Sequence, residues 1–185
     1  MREVEAKYRL DDRDRFAAAL AEAGFVADRT ERHRDRYLRH PCRDFAATDE
    51  ALRMRSVFVH DMGRIELTYK GPRSAGAVKS REEIELELPQ PDTAAAIFDR
   101  LGFEAVAEVA KVREVFRNGS QPDLTVTIDT VEQVGTYAEV ERLVADDAGE
   151  AAAAEAVLAA AESLGLAADR QERRSYLELL LEGAG

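Results

Sequence analysis

The sequence predicts an α+β protein in which about eight antiparallel strands close, or nearly close, into a barrel flanked by three or four helices. Three observations point there. Runs such as "ALRMRSVFV", "RIELTYKG", "REEIELEL" and "LTVTIDTV" alternate with period two, the signature of strands. Most are joined by hairpin-length turn signals rather than by crossover helices. On nearly every run the residues of one parity are charged and those of the other apolar, so each strand has two chemically distinct faces.

The first strand lies in "MREVEAKYRL", where Glu3, Glu5 and Lys7 alternate with Val4, Ala6 and Tyr8. A helix follows in "DDRDRFAAALAEAGF": Asp11 or Asp12 caps it, Phe16, Ala19, Leu20 and Ala23 form its apolar stripe, and Gly24 ends it. Residues 25–39 read as extended. Asp61-Met62-Gly63 and the Gly/Pro/Ser-rich segment 71–80 read as hairpin turns. "EEIELELPQPDTAAAIFDRLGF" then repeats the order strand, helix, Gly, apolar, with Asp92 as cap and Ile97, Phe98 and Leu101 as the stripe, and the strand "EVAKVREVF" follows. A third copy starts at "YAEVERL" and runs through the Ala-rich helix around 149–163 to Leu164-Gly165-Leu166. Likeness between "GFVADRTER" and "GLAADRQER" predicts that it too ends in a strand. No linker or low-complexity tail divides the chain, so residues 1–185 are expected to form one domain.

Composition narrows the function. A net charge of −11 argues against duplex DNA and anionic membranes as partners. No apolar stretch reaches the ~18 residues of a spanning helix. No secretory pattern opens the chain, and the lone Cys42 excludes an internal disulfide and fits a cytoplasmic protein. Abundant acids and alanines with few lysines resemble proteins of salt-loving organisms. The only lysines are Lys7, Lys70, Lys79 and Lys111.

Those charges repeat two residues apart: Arg53/Arg55, Glu66/Lys70 around Thr68, Arg81/Glu83/Glu85/Glu87, Lys111/Arg113 and Glu139/Glu141. Two residues along a strand advance about 6.6 Å and return to the same face. Were these faces turned to solvent, the apolar faces would fill the barrel and the helix stripes would have little to pack on. The economical arrangement puts Val4, Ala6, Met54, Ile65, Leu67, Ile84, Leu86, Val112 and Val140 outward beneath helices, and the charges inward. A charged lumen must hold water, ions or a polar ligand. Arg and Lys bind phosphate oxygens, while Glu and Asp hold hard cations that bridge phosphates.

At this point the residues resemble a known family. Glu3-Val4-Glu5-Ala6-Lys7, followed in order by "ALRMR", "LTYKGP", "REEIELE", "AKVREVF", "VTIDTVEQVGTYAEVE" and "SYLELLL", is similar to the CYTH family of triphosphate tunnel enzymes. "HPCRDFAATDEALRMR" at 40–55 is most similar to its class IV adenylyl cyclase branch. The resemblance implies an eight-stranded tunnel, Mg²⁺ or Mn²⁺ as cofactor, and ATP or another triphosphate as substrate. It casts Glu3, Glu5, Glu139 and Glu141 as metal-binding carboxylates, with Asp129 assisting directly or through water. It casts Lys7, Arg53, Arg55, Lys70, Arg81, Lys111 and Arg113 as the triphosphate cradle, and Lys7 and Asp129 as catalytic. Glu83 and Glu85 match family positions too, or serve as partners for lumen arginines. Arg173 or Arg174 stands near a C-terminal basic position of some members.

Three activities fit such a lumen. In a cyclase the 3′-hydroxyl of ATP attacks the α-phosphorus and pyrophosphate leaves. In a triphosphatase water attacks the γ-phosphorus of inorganic triphosphate, thiamine triphosphate or a nucleotide. A binding module would hold polyphosphate or nucleotide without turnover. His33, His40 and His60 lack metal-ligand spacing, and nothing resembles a histidine base, so metal activation is the economical expectation for the nucleophile. His40 either contacts nucleotide or sits on a surface loop, and Phe45 touches a base or packs in the core. "GPRSAGAVKS" fails as a P-loop because Lys79 is too far from Gly76 and a strand follows. The Ala-rich helix either packs on its own sheet or offers a homodimer face.

Overall fold

A computed structural model describes residues 2–60, 62–73, 78–145 and 147–183. Its strands are β1 (Arg2–Arg9), β2 (Val26–Arg39), β3 (Ala51–Val59), β4 (Met62–Lys70), β5 (Lys79–Glu87), β6 (Glu104–Arg117), β7 (Leu124–Val131) and β8 (Gly135–Val144). They form a closed barrel in the order β1-β5-β4-β3-β2-β6-β7-β8, with every adjacent pair antiparallel. Closure leaves no unpaired sheet edge. Four helices lie outside the strands: α1 (Arg13–Glu22), α2 (Pro91–Arg100), α3 (Glu150–Ser163) and α4 (Tyr176–Gly183). No helix among the described residues is long and apolar enough to cross a membrane.

The main core lies outside the barrel. Val4, Ala6 and Tyr8 of β1, Val126 and Ile128 of β7, and Ala138 and Val140 of β8 pack beneath Phe16 and Leu20 of α1 and Val157 and Ala161 of α3. The opposite parity therefore faces inward, as the alternation predicts. A second cluster joins Tyr37, Val109, Val131 and Tyr137 to Tyr176 of α4 at one end of the barrel. The outer wall is not covered all round, however. Ile84 and Leu86 remain 58% and 60% exposed and Val112 41%, so the expectation that they lie beneath helices is corrected. The reason is α2, which buries no residue and leaves Ile97 and Leu101 of its own stripe exposed.

The three strand–helix copies share one physical feature. Gly24, Gly102 and Gly165 all have positive φ, and the next residue donates its N–H five residues back: Phe25 to Leu20, Phe103 to Phe98, Leu166 to Ala161. This is the Schellman helix stop, in which glycine avoids the Cβ penalty of the left-handed region. The third copy then departs from expectation. A short 3₁₀ turn (Ala168–Arg170) and α4 follow, and only an isolated bridge between Tyr8 and Gln171 stands where a strand was predicted. Asp12, not Asp11, caps α1, accepting the Arg15 N–H at 3.0 Å. Asp92 is not the cap of α2: Gln90 holds that place with Pro91 in the first turn, and Asp92 lies just inside it. Residues 74–77 of the turn 71–80 and Asp61 of the turn 61–63 fall outside the described residues.

Candidate active site

The lumen follows from register. Inward residues of neighbouring strands meet as Glu5 with Glu141 and Lys7 with Glu139 across β1–β8, and as Glu3 with Arg81 across β1–β5. Lys70 meets Glu83 across β4–β5, and Arg113 meets Asp129 across β6–β7. One cavity of about 360 Å³ is lined by Glu3, Glu5, Lys7, Arg53, Arg55, Lys70, Arg81, Lys111, Arg113 and Glu139, together with Lys79, Glu83 and Glu85. Thus all seven cations of the predicted cradle share one space with three of the four predicted carboxylates. Glu141 lines a second cavity of about 280 Å³, which shares Glu3, Arg55, Glu83, Glu85 and Arg113 with the first. The two adjoin inside the barrel at these shared residues. The second opens to solvent beside Leu143, which is 58% exposed.

The lumen is a network of mixed-sign pairs. Arg55 makes a bidentate contact to Asp35 at 2.7 Å on each oxygen, and Arg53 lies 3.6 Å from the same carboxylate. Lys70 bonds Glu83 and sits 3.5 Å from Glu3. Lys79 reaches Glu5 at 3.0 Å. Asp129, at 0% exposure, accepts from Lys111 at 2.7 Å, from Arg113 at 2.7 and 2.6 Å, and from the Tyr176 hydroxyl at 3.1 Å. Arg113 also bonds Glu139. Asp129 thus lies on the inward face of β7 beneath these cations, holding them in place, and lines neither cavity. Glu83 is held below the usual carboxylate range: burial raises it, but Lys70 prevails.

Several lumen groups are left electrostatically unfavourable, Glu141 and Lys7 among them. Burial, then the carboxylates of Glu3, Glu139 and Glu5, push Glu141 up to about 8 despite Arg113. Burial, then Lys79, bring Lys7 down to about 7 despite Glu139 and Glu5. Lys7 donates to the Arg174 carbonyl at 2.5 Å and lies 4.0 Å from the Tyr176 ring centroid. The Arg174 guanidinium instead turns outward to Glu172 and Glu182. Arg73 fastens α4 over this end of the barrel, bridging Asp49 at 2.6 Å and Glu178 at 3.1 Å. Phe45, Ala46, Leu177 and Leu181 form the apolar part of this mouth. His40 lines neither cavity; its ring packs 5.5 Å from Phe45 and 5.1 Å from Phe103.

Sequence reasoning passed over several lumen residues. Lys79 was set aside with the P-loop reading, although it is one of four lysines in a lysine-poor chain. Tyr176 sat unremarked inside "SYLELLL". Asp35 and His33 alternate with Glu31 and Tyr37 along β2, a period-two signal like those used on the other strands. His33 is buried and its Nε2 lies 2.7 Å from Glu31.

The CYTH domain pattern matches residues 1–176. This chain belongs to the CYTH family. It is similar to the CYTH relative adenylate cyclase CyaB of Aeromonas hydrophila, at 31% identity over 181 residues, 96% of this chain and 87% of that one. The PH1819 protein of Pyrococcus horikoshii superposes with a TM-score of 0.89 at 40% identity, covering 97% of this chain and 98% of that one. HpAC1 of Hippeastrum, described as revealing a dominant triphosphatase activity, shares the CYTH fold at 19% identity with a TM-score of 0.67, covering 98% and 96%.

Proposed function

We propose that the tunnel binds ATP by its triphosphate and, with Mg²⁺ or Mn²⁺, converts it to cyclic AMP and pyrophosphate. The observation that carries this reading is the convergence of Lys7, Arg53, Arg55, Lys70, Lys79, Arg81, Lys111 and Arg113 on one lumen. That set matches the charge and length of a triphosphate chain far better than a neutral ligand. Among the described residues, Arg53 Nε is one of three buried side-chain polar atoms without a partner, a donor inside the cation set. The nucleoside lies toward the apolar mouth at Phe45 and Leu177, and the phosphates run inward. Phosphate oxygens take over the cations that Asp35, Glu83 and Glu5 otherwise hold, and fixed donors stabilise charge developing on the departing pyrophosphate. Asp129 acts from beneath, fixing Lys111 and Arg113.

A divalent cation suits the acids present. Glu5 and Glu141 are directly opposite across β1–β8, a destabilising pair when both are charged. The raised Glu141 and the raised Glu3, both driven first by burial and also by neighbouring carboxylates, register the same crowding. Among the described residues no three such groups already converge on one point, so Glu3, Glu5, Glu139 and Glu141 would hold the ion only after turning from their lysine and arginine partners. When bound, such an ion neutralises phosphate charge and acidifies the attacking hydroxyl.

A second reading, triphosphate hydrolysis, is favoured by the solvent opening, beside Leu143, of the second cavity, which His33 also lines. The dominant triphosphatase activity described for HpAC1 supports the same alternative. Purified protein with ATP or tripolyphosphate and either metal separates the readings by product. Cyclic AMP with pyrophosphate supports the first and orthophosphate the second. No turnover with tight binding would overturn both.

A further inference from the structure

The second cavity, here called the inner cavity, holds a buried histidine that phosphate binding does not use. His33 Nε2 lies 2.7 Å from Glu31 Oε2, and Glu31 is in turn held by Arg29 at 2.8 Å. This fixes the ring and its tautomer: Nε2–H donates to the carboxylate, and Nδ1 presents its lone pair. That Nδ1 is buried and without a partner, as is Thr127 Oγ1, and both residues line the inner cavity. A buried acceptor without a partner, on a residue that lines a cavity, is a place for a water molecule. Other charged groups face His33 from around it. Arg55, Lys111 and Arg113 act on it most strongly, and Glu3, Arg64, Glu66, Glu83, Glu85 and Glu141 line the same cavity from the other strands.

We propose that the Glu31–His33 pair is a general base for hydrolysis at the end of the phosphate chain, with Glu31 as the positioning residue. The inference rests on the tunnel being the triphosphate site. With the nucleoside at the Phe45 mouth, the chain's terminal phosphorus reaches Arg55 and Arg113, the cations common to both cavities. Water enters from the inner opening on the far side, in line with the terminal bridging bond. Its oxygen forms the new bond to phosphorus. The bond from that phosphorus to the bridging oxygen breaks, and its electron pair leaves with the shortened chain. The water's proton goes to His33 Nδ1 and from there to the products or solvent.

The electrostatics suit the task. Burial, then Arg55, Lys111 and Arg113, bring His33 down to about 4 despite Glu31, so the ring is neutral and ready to accept at neutral pH. Bound phosphate offsets those same cations, which raises the ring's basicity only when substrate is present. A 3′-hydroxyl attacking the α-phosphorus at the other end of the chain would not meet His33. The pair therefore serves hydrolysis and not cyclisation, and separates the two activities of one tunnel.

The test uses the full chain with inorganic tripolyphosphate and Mg²⁺, following orthophosphate release, tripolyphosphate affinity and folding by thermal melt. We expect His33→Asn to lower hydrolysis roughly 10²- to 10⁴-fold, the range for a general base, with affinity changed less than about threefold and the acid limb of the kcat profile gone. Glu31→Gln should move that limb to lower pH, because the carboxylate no longer favours the protonated ring, an effect that a merely structural pair would not produce. Folded His33→Asn that hydrolyses at the wild-type rate, or that loses rate only in step with affinity, overturns the proposal. Should His33→Asn fail to fold, an unshifted limb in Glu31→Gln overturns it instead. A wild-type protein that binds tripolyphosphate and makes cyclic AMP but no orthophosphate also overturns it, leaving the tunnel reading intact. Failure of the wild type to bind tripolyphosphate overturns both.

Discussion

Replacing Asp129 with Asn tests whether this carboxylate holds the cradle together. In the wild type it is fully buried and meets Lys111, Arg113 and the Tyr176 hydroxyl at 2.6–3.1 Å. The Asn amide keeps the shape but removes the charge and turns a donor toward donors. Lys111 and Arg113 then keep Glu139 as a shared counter-charge, with Glu141 also near Arg113 and Asp35 near Lys111. Breaking one side of a buried ion pair costs about 3–5 kcal/mol. For a domain of this size, 1 kcal/mol shifts Tm by roughly 2–4 °C, so the melt should fall by about 6–20 °C. Tripolyphosphate supplies the missing anion. A ligand at 100 times its Kd adds about 2.7 kcal/mol, and freed cations should bind it more tightly, so the gain in Tm on adding tripolyphosphate should be larger in the variant than in the wild type. Paired scanning calorimetry, with and without tripolyphosphate, measures both. A melt within 2 °C of wild type, by the ~2–4 °C per kcal/mol conversion, would sink the claim that Asp129 is the anchor. An equal or smaller gain would sink the claim that Lys111 and Arg113 belong to the phosphate site.

Three further outcomes follow from the same network. Glu141→Gln should remove most metal-dependent turnover yet leave the fold intact, since a neutral amide is a poor ligand for Mg²⁺ and a crowded carboxylate is relieved; unchanged rates across a metal titration would take Glu141 out of the metal site. Lys79→Met removes a charge-assisted donor worth roughly 1.5–3 kcal/mol, so tripolyphosphate affinity should fall about 10- to 150-fold, and isothermal titration showing wild-type affinity would return Lys79 to a purely structural role beside Glu5. The third concerns acid. Burial raises Asp35, but Arg55 and Arg53 hold it well below its ordinary range, so its contribution is complete above the unfolded value near 3.9 and is lost as pH falls below that toward the folded value. Melting temperature should therefore drop steeply below about pH 4, and the drop should be shallower in Asp35→Asn; parallel curves would show that this pair does not govern the acid limb.

The strands were legible in the sequence because period-two alternation is a local property. It also showed which parity is charged, and the barrel follows once both faces need a partner. Even the side of the wall taken by Val4, Ala6 and Val140 was open to that argument, since the stripes of α1 and α3 required something to cover. The same logic misplaced Ile84, Leu86 and Val112, because whether a helix lies over a given strand depends on how its connections run, which no local pattern records. The Gly-apolar repeats were real, but what they encode is a helix stop and not the element after it, so the third copy proceeds to α4 where a strand was expected.

Membership of the lumen was readable too, residue by residue, from charge at alternate positions. The pairing inside it was not. Asp129, Lys111 and Tyr176 come from three distant parts of the chain, and only closure of the barrel and docking of α4 bring them within hydrogen-bond reach. That proximity decides which carboxylate anchors cations and which crowds its neighbours, as Asp129 and Glu141 do from adjacent strands. The sequence by itself determined the residue types, their parity and hence a charged tunnel. Only the tertiary structure decided each group's partner, burial and charge state, because Coulomb energy and desolvation depend on distances that chain order does not contain.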